Sequence, residues 1–237
     1  MDSVDAPHND PVAKLVRMPR KPTAAKLTHA PPSVLGPRLR AIRLRRGLSL
    51  RELARRLELS PSSISQIETG KMQPSVRTLY AFVSEFGVTV DEVLFDQEQP
   101  PDGTSASVPE SSPAVAGPGL AVQRAEGRPT ITLNSGVTWE RLMFWADEDV
   151  EFIEATYPPG GASDEALGRH SGHEFGTVLS GVLRVVVGFD EFVLEPGDSI
   201  TFPSPTPHRL SNEGSETVRA IWVVRGRRGA HPGHEAS

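Results

Sequence analysis

The spacing of apolar residues changes once along this chain of 237 residues, and that change divides the chain into two differently built parts. Up to about residue 95 the apolar residues recur every three or four positions, which is typical of amphipathic helices. From residue 120 onward they alternate and are rich in β-branched types, which is typical of strands. Residues 96–119 between them are mostly Pro, Ser, Gly, Ala and acidic residues, the composition of a flexible linker. We therefore predict an α + β protein of two domains.

The predicted boundaries follow from the same pattern. Residues 1–33 contain six prolines and no sustained periodicity, which indicates a disordered arm. The helical domain spans 34–95, the flexible linker 96–119 and the strand-rich domain 120–226. Residues 227–237 are expected to be a tail.

The helical domain is predicted to contain five helices. Ser49 is the N-cap of the second helix and forms a capping box with Glu52, while Ser60 caps the third and is followed by Pro61. Gly47 and Gly70 are expected to end the first and third helices. The buried faces, in chain order, are predicted to be Leu35, Leu39 and Ile42; Leu50, Leu53, Ala54 and Leu57; Ile64 and Ile67; Val76, Leu79, Tyr80 and Val83; and Val90, Val93 and Leu94.

The strand-rich domain is predicted to be an antiparallel sandwich or barrel of about seven short strands. Turn sequences such as Pro158-Pro159-Gly160 and Pro196-Gly197-Asp198 separate them. The predicted strands are 130–133, 138–145, 151–157, 176–187, 191–194, 199–202 and 218–224.

Composition excludes several classes of site. The chain has no cysteine, so disulfides, thiolate nucleophiles and cysteine-bound metals are absent and His, Asp and Glu remain as metal ligands. No run of 18 apolar residues occurs, and the first thirty residues lack an apolar segment. We therefore expect no transmembrane helix, no signal peptide and no membrane partner, and hence a cytoplasmic protein.

Charge is distributed unevenly around the net value of −5. Residues 34–95 carry ten Lys and Arg against six Asp and Glu, whereas residues 120–237 carry ten against seventeen. This asymmetry suggests that the helical domain meets a polyanion such as DNA. A solvated basic helix face would produce the same pattern, so charge alone leaves the question open.

The second and third helices are separated only by Glu58-Leu59-Ser60, a spacing that suits a helix-turn-helix. With Ile64 and Ile67 in the core, the third helix presents Ser62, Ser63, Gln66 and Thr69 outward, and a glutamine amide can pair bidentately with adenine. Over residues 35–95 the chain resembles the Xre/Cro-like repressor family, through the segments 48–54 (LSLRELA) and 64–70 (ISQIETG).

This resemblance implies a lambda-repressor-like fold that binds double-stranded DNA. It implies that the DNA-contacting residues are Arg51, Ser62, Ser63 and Gln66. Leu50 stands where many members have a glutamine, which leaves no base contact from that position. It also implies a structural pair between Arg43 and Glu68. The alternative is a helical dimerisation domain that does not bind DNA.

Two motifs in the strand-rich domain resemble those of the cupins, one over residues 170–181 and one over 196–212. The resemblance covers residues 120–226 and implies an antiparallel β-barrel of the jelly-roll type. In the first motif His170 and Glu174 match the family's second histidine and its glutamate, while Gly168 stands at the first histidine. In the second, His208 matches in register.

His170, Glu174 and His208 are the candidate ligands for a metal or an effector. Residues 170 and 174 project to the same face of an extended strand, while His173 projects to the other and is expected at the surface. Two imidazoles and a carboxylate are a ligand set for one divalent metal, iron, manganese, nickel or zinc. The alternative is a site whose side chains only hydrogen-bond an organic effector or water.

These features together predict a one-component regulator, in which ligand occupancy of the cupin domain changes the behaviour of a DNA-binding homodimer. The resemblance implies the same architecture and a small-molecule effector, and no catalytic residues are assigned. An alternative is a metal-dependent cupin enzyme of the hydroxypropylphosphonate epoxidase type, because that enzyme has the spacing of His170, Glu174 and His208. A cupin that only dimerises the DNA-binding domains is a third.

Overall fold

The computed structural model describes residues 35–94, 114–117, 120–144, 147 and 149–226. The predicted arm 1–33, most of the predicted linker and the predicted tail 227–237 lie outside these residues. One part of the predicted linker differs from expectation: Ala114–Gly117 is a strand and pairs with Leu120–Val122.

The first domain is helical, with α1 (Leu35–Arg45), α2 (Leu50–Leu57), α3 (Pro61–Glu68), α4 (Val76–Phe86) and α5 (Val90–Leu94). Four of these helices have eight or more residues, whereas α5 is little more than one turn. The prediction of five helices is therefore confirmed for four helices of substantial length. The serines predicted as N-caps are N-caps: Ser49 and Ser60 each accept a hydrogen bond from the backbone N–H three residues on.

The helical core is closely packed where α1 crosses α3. Leu39, Leu53, Ile64, Leu79 and Phe82 are completely buried. A Cβ added at Gly36 of α1 would lie 2.3 Å from the carbonyl oxygen of Ile67 in α3. Only a glycine therefore permits this approach of the two helices.

The second domain is built from antiparallel strands in two sheets, with a separate hairpin of β1 and β2. The larger sheet has the order β3-β4-β5-β11-β6-β9 and the smaller the order β10-β7-β8. The strands are β1 (Ala114–Gly117), β2 (Leu120–Val122), β3 (Thr130–Thr132), β4 (Thr138–Arg141), β5 (Val150–Tyr157), β6 (His173–Ser180), β7 (Leu183–Val187), β8 (Asp190–Leu194), β9 (Ser199–Pro203), β10 (His208–Ser211) and β11 (Val218–Arg225).

The predicted closed barrel is wrong, because no continuous hydrogen-bond ladder joins the two sheets among the described strands. The sequence predicted one strand over 176–187, but Gly181, with φ +73°, breaks this run into β6 and β7, which belong to different sheets. On its other side β10 meets only single bridges, Ala162 to Ser211 and Gly168 to His208. The domain is therefore an antiparallel two-sheet structure that is open at this edge.

The two domains contact each other through the start of α4. The N–H of Val76 donates to the carbonyl of Ser163 (3.0 Å), and the N–H of Asn134 donates to the carbonyl of Pro74 (2.9 Å). The Ser75 hydroxyl donates to the Asp164 carboxylate (2.5 Å). The bonds to Ser163 and Asp164 hold α4 against the loop that precedes β6, and the bond from Asn134 holds the residue before Ser75 against the segment between β3 and β4. Within the described residues, no helix has the length and apolar character needed to cross a membrane.

Candidate functional site

The exposed face of α3 carries the polar side chains expected of a recognition helix. Ser62 and Gln66 are exposed, whereas Ile64 and Ile67 are buried on the opposite face. Gln66 Nε2 donates to Ser62 Oγ (3.2 Å), so the amide lies along the helix surface. An amide held only by a neighbouring exposed hydroxyl can exchange that partner for a base edge.

Two further predicted DNA-contacting residues flank this face. Arg51 is exposed in the first turn of α2, as a phosphate-contacting residue must be. Ser63 is half-buried, and its hydroxyl lies 2.8 Å from the hydroxyl of Ser60, the N-cap of the same helix. Its hydroxyl is thus already engaged in the helix cap.

Arg43 and Glu68 form the predicted pair between α1 and α3. Arg43 Nε lies 2.6 Å from Glu68 Oε1 and Arg43 Nη2 lies 2.8 Å from Glu68 Oε2, a bidentate arrangement. Both side chains are buried, at 6% and 4% exposure. Arg43 also donates to the carbonyl of Leu48 in the α1–α2 turn (2.8 Å). The pair therefore joins α1, the α1–α2 turn and α3.

The second site lies inside the strand-rich domain, where three elements bring His170, Glu174 and His208 together. Glu174 is the second residue of β6 and points inward, and His208 is the first residue of β10. His170 belongs to the loop before β6. Paired hydrogen bonds between the backbones of Gly168 and His208 (2.8 and 2.9 Å) attach this loop to β10. Ligand atoms of the three side chains lie within 4.8 Å of one another.

The acceptor atoms in this site converge on one another. Glu174 Oε1 lies 3.0 Å from His170 Nε2 and 3.1 Å from His208 Nε2, yet it makes no hydrogen bond of normal geometry. His170 Nδ1 lies 2.9 Å from the carbonyl of Ser171, and His208 Nδ1 lies 2.8 Å from the carbonyl of Thr206. Because a carbonyl only accepts, each Nδ1 carries a proton, and in the neutral form of each ring Nε2 therefore presents a lone pair.

Three lone-pair atoms facing one another in a buried site need a cation or a proton between them. Two histidine nitrogens and one carboxylate oxygen are a set that divalent transition metals accept, with coordination positions left open. The carbonyl groups that hold each Nδ1–H are the usual outer partners of metal-bound histidines. The residues present therefore fit a divalent metal.

Trp222 of β11 fixes the orientation of the carboxylate. Its indole Nε1 donates to Glu174 Oε2 (2.7 Å), which turns Oε1 toward the two histidines. The indole ring covers Gly176, where an added Cβ would lie 2.0 Å from the ring. The role of Trp222 could not be predicted from the sequence, because a tryptophan in an apolar strand gives no sign that its N–H faces a candidate metal ligand.

Charge in the site follows from these contacts. Burial raises the pKa of Glu174, but together His170 and His208 lower it by more than burial raises it, so the net pKa is about 2. Burial lowers the pKa of His208, but the Glu174 carboxylate and the Thr206 carbonyl raise it more, so the net shift is upward. Burial raises the pKa of Tyr157, and the charge of Glu174 adds to that. Glu174 is thus an anion throughout the physiological range.

The prediction that His173 projects away from Glu174 is confirmed, whereas the prediction that His170 lies on the same strand as Glu174 is wrong. His173 projects away from Glu174, is exposed and hydrogen-bonds Thr201 on the neighbouring strand β9 (3.0 Å). His170, however, is not on the strand, because β6 begins at His173. It reaches the site because the Gly168 bridge and the turn before β6 fold the loop back over the sheet.

Helix α4 of the other domain also lines this site, which the sequence analysis did not foresee. Tyr80 stacks on His170, with ring centroids 4.0 Å apart and planes tilted by 43°. The cavity at the site has a volume of about 30 Å³, and its lining includes Val76, Arg77 and Tyr80 of α4 together with Trp139 and Trp222. Tyr80 was predicted as a core residue, since its spacing with Leu79 and Val83 is that of a buried helix face.

Comparison with protein families assigns both domains. Residues 39–93 match the helix-turn-helix family model, and residues 153–224 match the cupin domain model. Both matches fall within the predicted helical and strand-rich domains.

Named relatives and a solved structure agree with this assignment. The chain is 28% identical over 187 residues to the HTH-type transcriptional regulator PuuR of Escherichia coli (strain K12), covering 78% of this chain and 91% of PuuR. It is 34% identical over 87 residues to the HTH-type transcriptional regulator DdrOP3 of Deinococcus deserti, covering 36% of this chain and 67% of that one. The fold of this chain is similar to the crystal structure of an HTH_3 family transcriptional regulator from Vibrio cholerae, with a TM-score of 0.54 at 20% identity. The match covers 81% of this chain and 95% of that one. Both relatives are named as transcriptional regulators.

Proposed function

This chain belongs to the helix-turn-helix transcriptional regulators that carry a cupin domain, and we propose that it binds double-stranded DNA through α3 under the control of a ligand in the cupin site. The observation that carries the proposal is the contact between the two sites: α4, which packs in the helical core, also lines the cupin cavity. A regulator needs such a connection between the domain that binds DNA and the domain that binds the ligand.

The DNA contacts divide into two kinds. Gln66, and Ser62 beside it, read base edges in the major groove, and Arg51 contacts a phosphate. Ser63 supports the helix cap that places the first turn of α3, which agrees with its hydroxyl contact to Ser60. Arg43 and Glu68 hold α3 against α1 and do not touch DNA.

The chain acts on DNA as a homodimer. One recognition helix covers only a few base pairs, and two-fold pairing on a near-palindromic site is how helix-turn-helix proteins gain affinity. The basic helical domain and the acidic strand-rich domain suit this arrangement, because only the first is attracted to the phosphates.

The ligand of the cupin site is a divalent transition cation such as iron, manganese, nickel or zinc. One water needs roughly 10–15 Å³, so the cavity of about 30 Å³ beside the three side chains accommodates a cation with one or two waters. His170, Glu174 and His208 hold the cation, which supplies positive charge to three lone-pair atoms. A larger cavity of about 1340 Å³, which His170 and Tyr80 also line, has room for an organic effector beside the cation.

DNA recognition is tested by fluorescence anisotropy on DNA from upstream of the chain's own gene and on random DNA of equal length. Gln66→Ala removes a base contact and should cost about 1–3 kcal/mol per half-site on the specific DNA only. Arg51→Ala is the matched control: it should weaken both DNAs alike and reduce the salt slope by about one. Equal losses from Gln66→Ala on both DNAs would show that Gln66 does not read sequence.

A further inference from the structure

Tyr80 connects the helical core to the ligand set of the cupin site. It is 5% exposed and packs with Trp139 of β4 (centroids 5.7 Å apart) as well as with His170. Its hydroxyl donates to Glu151 of β5 (3.2 Å), another buried side chain of the strand-rich domain. One residue of the DNA-binding domain thus has three contacts with the other domain, and one of them is a candidate metal ligand.

Helix α4 lies directly against the position at which a fourth ligand would be attached. Gly168 stands where the cupin resemblance places a first histidine, and a Cβ added there would lie 3.3 Å from the Cβ of Arg77. A side chain at position 168 would therefore require the stem of Arg77 to shift by a few tenths of an ångström. Helix α4 thus packs tightly against the position of the missing ligand.

The ring of His170 is held on one edge by the Ser171 carbonyl and on one face by Tyr80. A cation bound at Nε2 would hold the same ring in the same orientation. Since a ring already fixed by Tyr80 loses less freedom on binding the cation, docking and binding favour each other. Linkage makes the effect reciprocal, so a bound cation must also strengthen the docking of α4.

We propose that α4 is an integral wall of the cupin cation site, that Tyr80 is a positioning residue for His170, and that cation binding and docking of α4 stabilise each other. This rests on the proposed cation site. It makes α4 the element through which the occupied cupin restrains the DNA-binding domain.

Two backbone amides report directly on docking. The N–H of Val76 and the N–H of Asn134 both donate across the domain boundary, and Val76 is the first residue of α4, so it has no partner within the helix. Their hydrogen exchange measures how often the domains separate. The Leu79 amide is the matched control, because it bonds Ser75 of its own domain (2.9 Å).

The experiment uses the full chain and Zn²⁺ as the probe, with affinity from calorimetry and amide exchange from NMR. In the unsubstituted protein Zn²⁺ should slow exchange at Val76 and Asn134 at least about fivefold, the lower end of common coupling strengths, and leave Leu79 unchanged. Tyr80→Ala should lower the affinity for Zn²⁺ at least about tenfold, as loss of an outer partner of a metal ligand does, and abolish the change in exchange. Tyr80→Phe keeps the ring and should restore most of the affinity.

The controls separate this inference from the cation site itself. His208→Ala should abolish Zn²⁺ binding, and His173→Ala should leave it intact. If the unsubstituted protein fails to bind Zn²⁺, or His208→Ala binds it normally, the cation site and this inference are both wrong. If His208→Ala loses Zn²⁺ while Tyr80→Ala keeps full affinity, or Zn²⁺ leaves the Val76 and Asn134 amides unchanged in the unsubstituted protein, the cation site stands and the coupling through α4 is overturned.

Discussion

The two buried carboxylates of the candidate sites, Glu68 and Glu174, face opposite kinds of partner. Glu68 meets a permanent cation, Arg43, in a complete bidentate pair. Glu174 faces two imidazole nitrogens instead of a permanent cation. We infer that the completed pair of Glu68 stabilises the fold, whereas the carboxylate of Glu174 binds a ligand.

We predict that Glu68→Ala destabilises the helical domain. Removal of one partner leaves Arg43 buried without its counter-charge, which costs about 3–5 kcal/mol. Urea unfolding should show this loss, and Arg55→Ala, which breaks an exposed pair with Glu52, should leave stability nearly unchanged. A Glu68→Ala protein of normal stability that no longer binds DNA would instead place Glu68 at the DNA.

The cation-free protein should respond to pH through Glu174 and His208. The folded pKa of Glu174 is about 2 against an ordinary 4.5, so its contribution is complete above pH 4.5 and is lost as pH falls toward 2. The pKa of His208 is raised above 6.5, so its contribution is complete below pH 6.5 and is lost as pH rises through the folded value. In chelator, the difference in unfolding free energy between the unsubstituted protein and Glu174→Gln should therefore be greatest between these limits. A difference independent of pH would contradict these assignments.

Among the helices and strands, the sequence predicted element ends correctly where the signal comes from neighbouring residues that act on the backbone. Serine caps predicted the starts of α2 and α3, because each cap is formed by residues three positions apart. The break between β6 and β7 was missed, since the apolar run continues through Gly181 and only its left-handed conformation ends the strand. The position of His170 and the role of Tyr80 depend on contacts between distant segments, which a periodic pattern does not contain.

At the crossing of α1 and α3 we predict a change in stability that is opposite in sign to the one expected from helix propensity. Gly→Ala within a helix normally stabilises by roughly 0.5–1 kcal/mol. At Gly36 the new Cβ would meet the Ile67 carbonyl oxygen, a backbone atom that cannot turn away. We therefore expect Gly36→Ala to destabilise by about 1–3 kcal/mol, the usual range for overpacking. Gly214→Ala, whose Cβ has an ordinary contact at 3.4 Å, is the control in thermal unfolding, and a stabilised Gly36→Ala protein would disprove the close crossing.

At the scale of the whole molecule, the two domains share one structural element. Helix α4 packs its buried face in the helical core and its first turns on the strand-rich domain. The family resemblance predicted which domains are present and their order, but not that they touch at the ligand site. That contact is a property of the surfaces that the folded domains present to each other.

The most direct test is the DNA affinity of the full chain, measured on its upstream DNA at constant salt with Zn²⁺ and with chelator. Coupling between the sites predicts at least about a fivefold difference between the two conditions, in the unsubstituted protein and in His173→Ala. The difference should vanish in His208→Ala, which should still bind the DNA. Equal affinity in both conditions, from a protein shown to hold Zn²⁺ at His170, Glu174 and His208, would contradict the account.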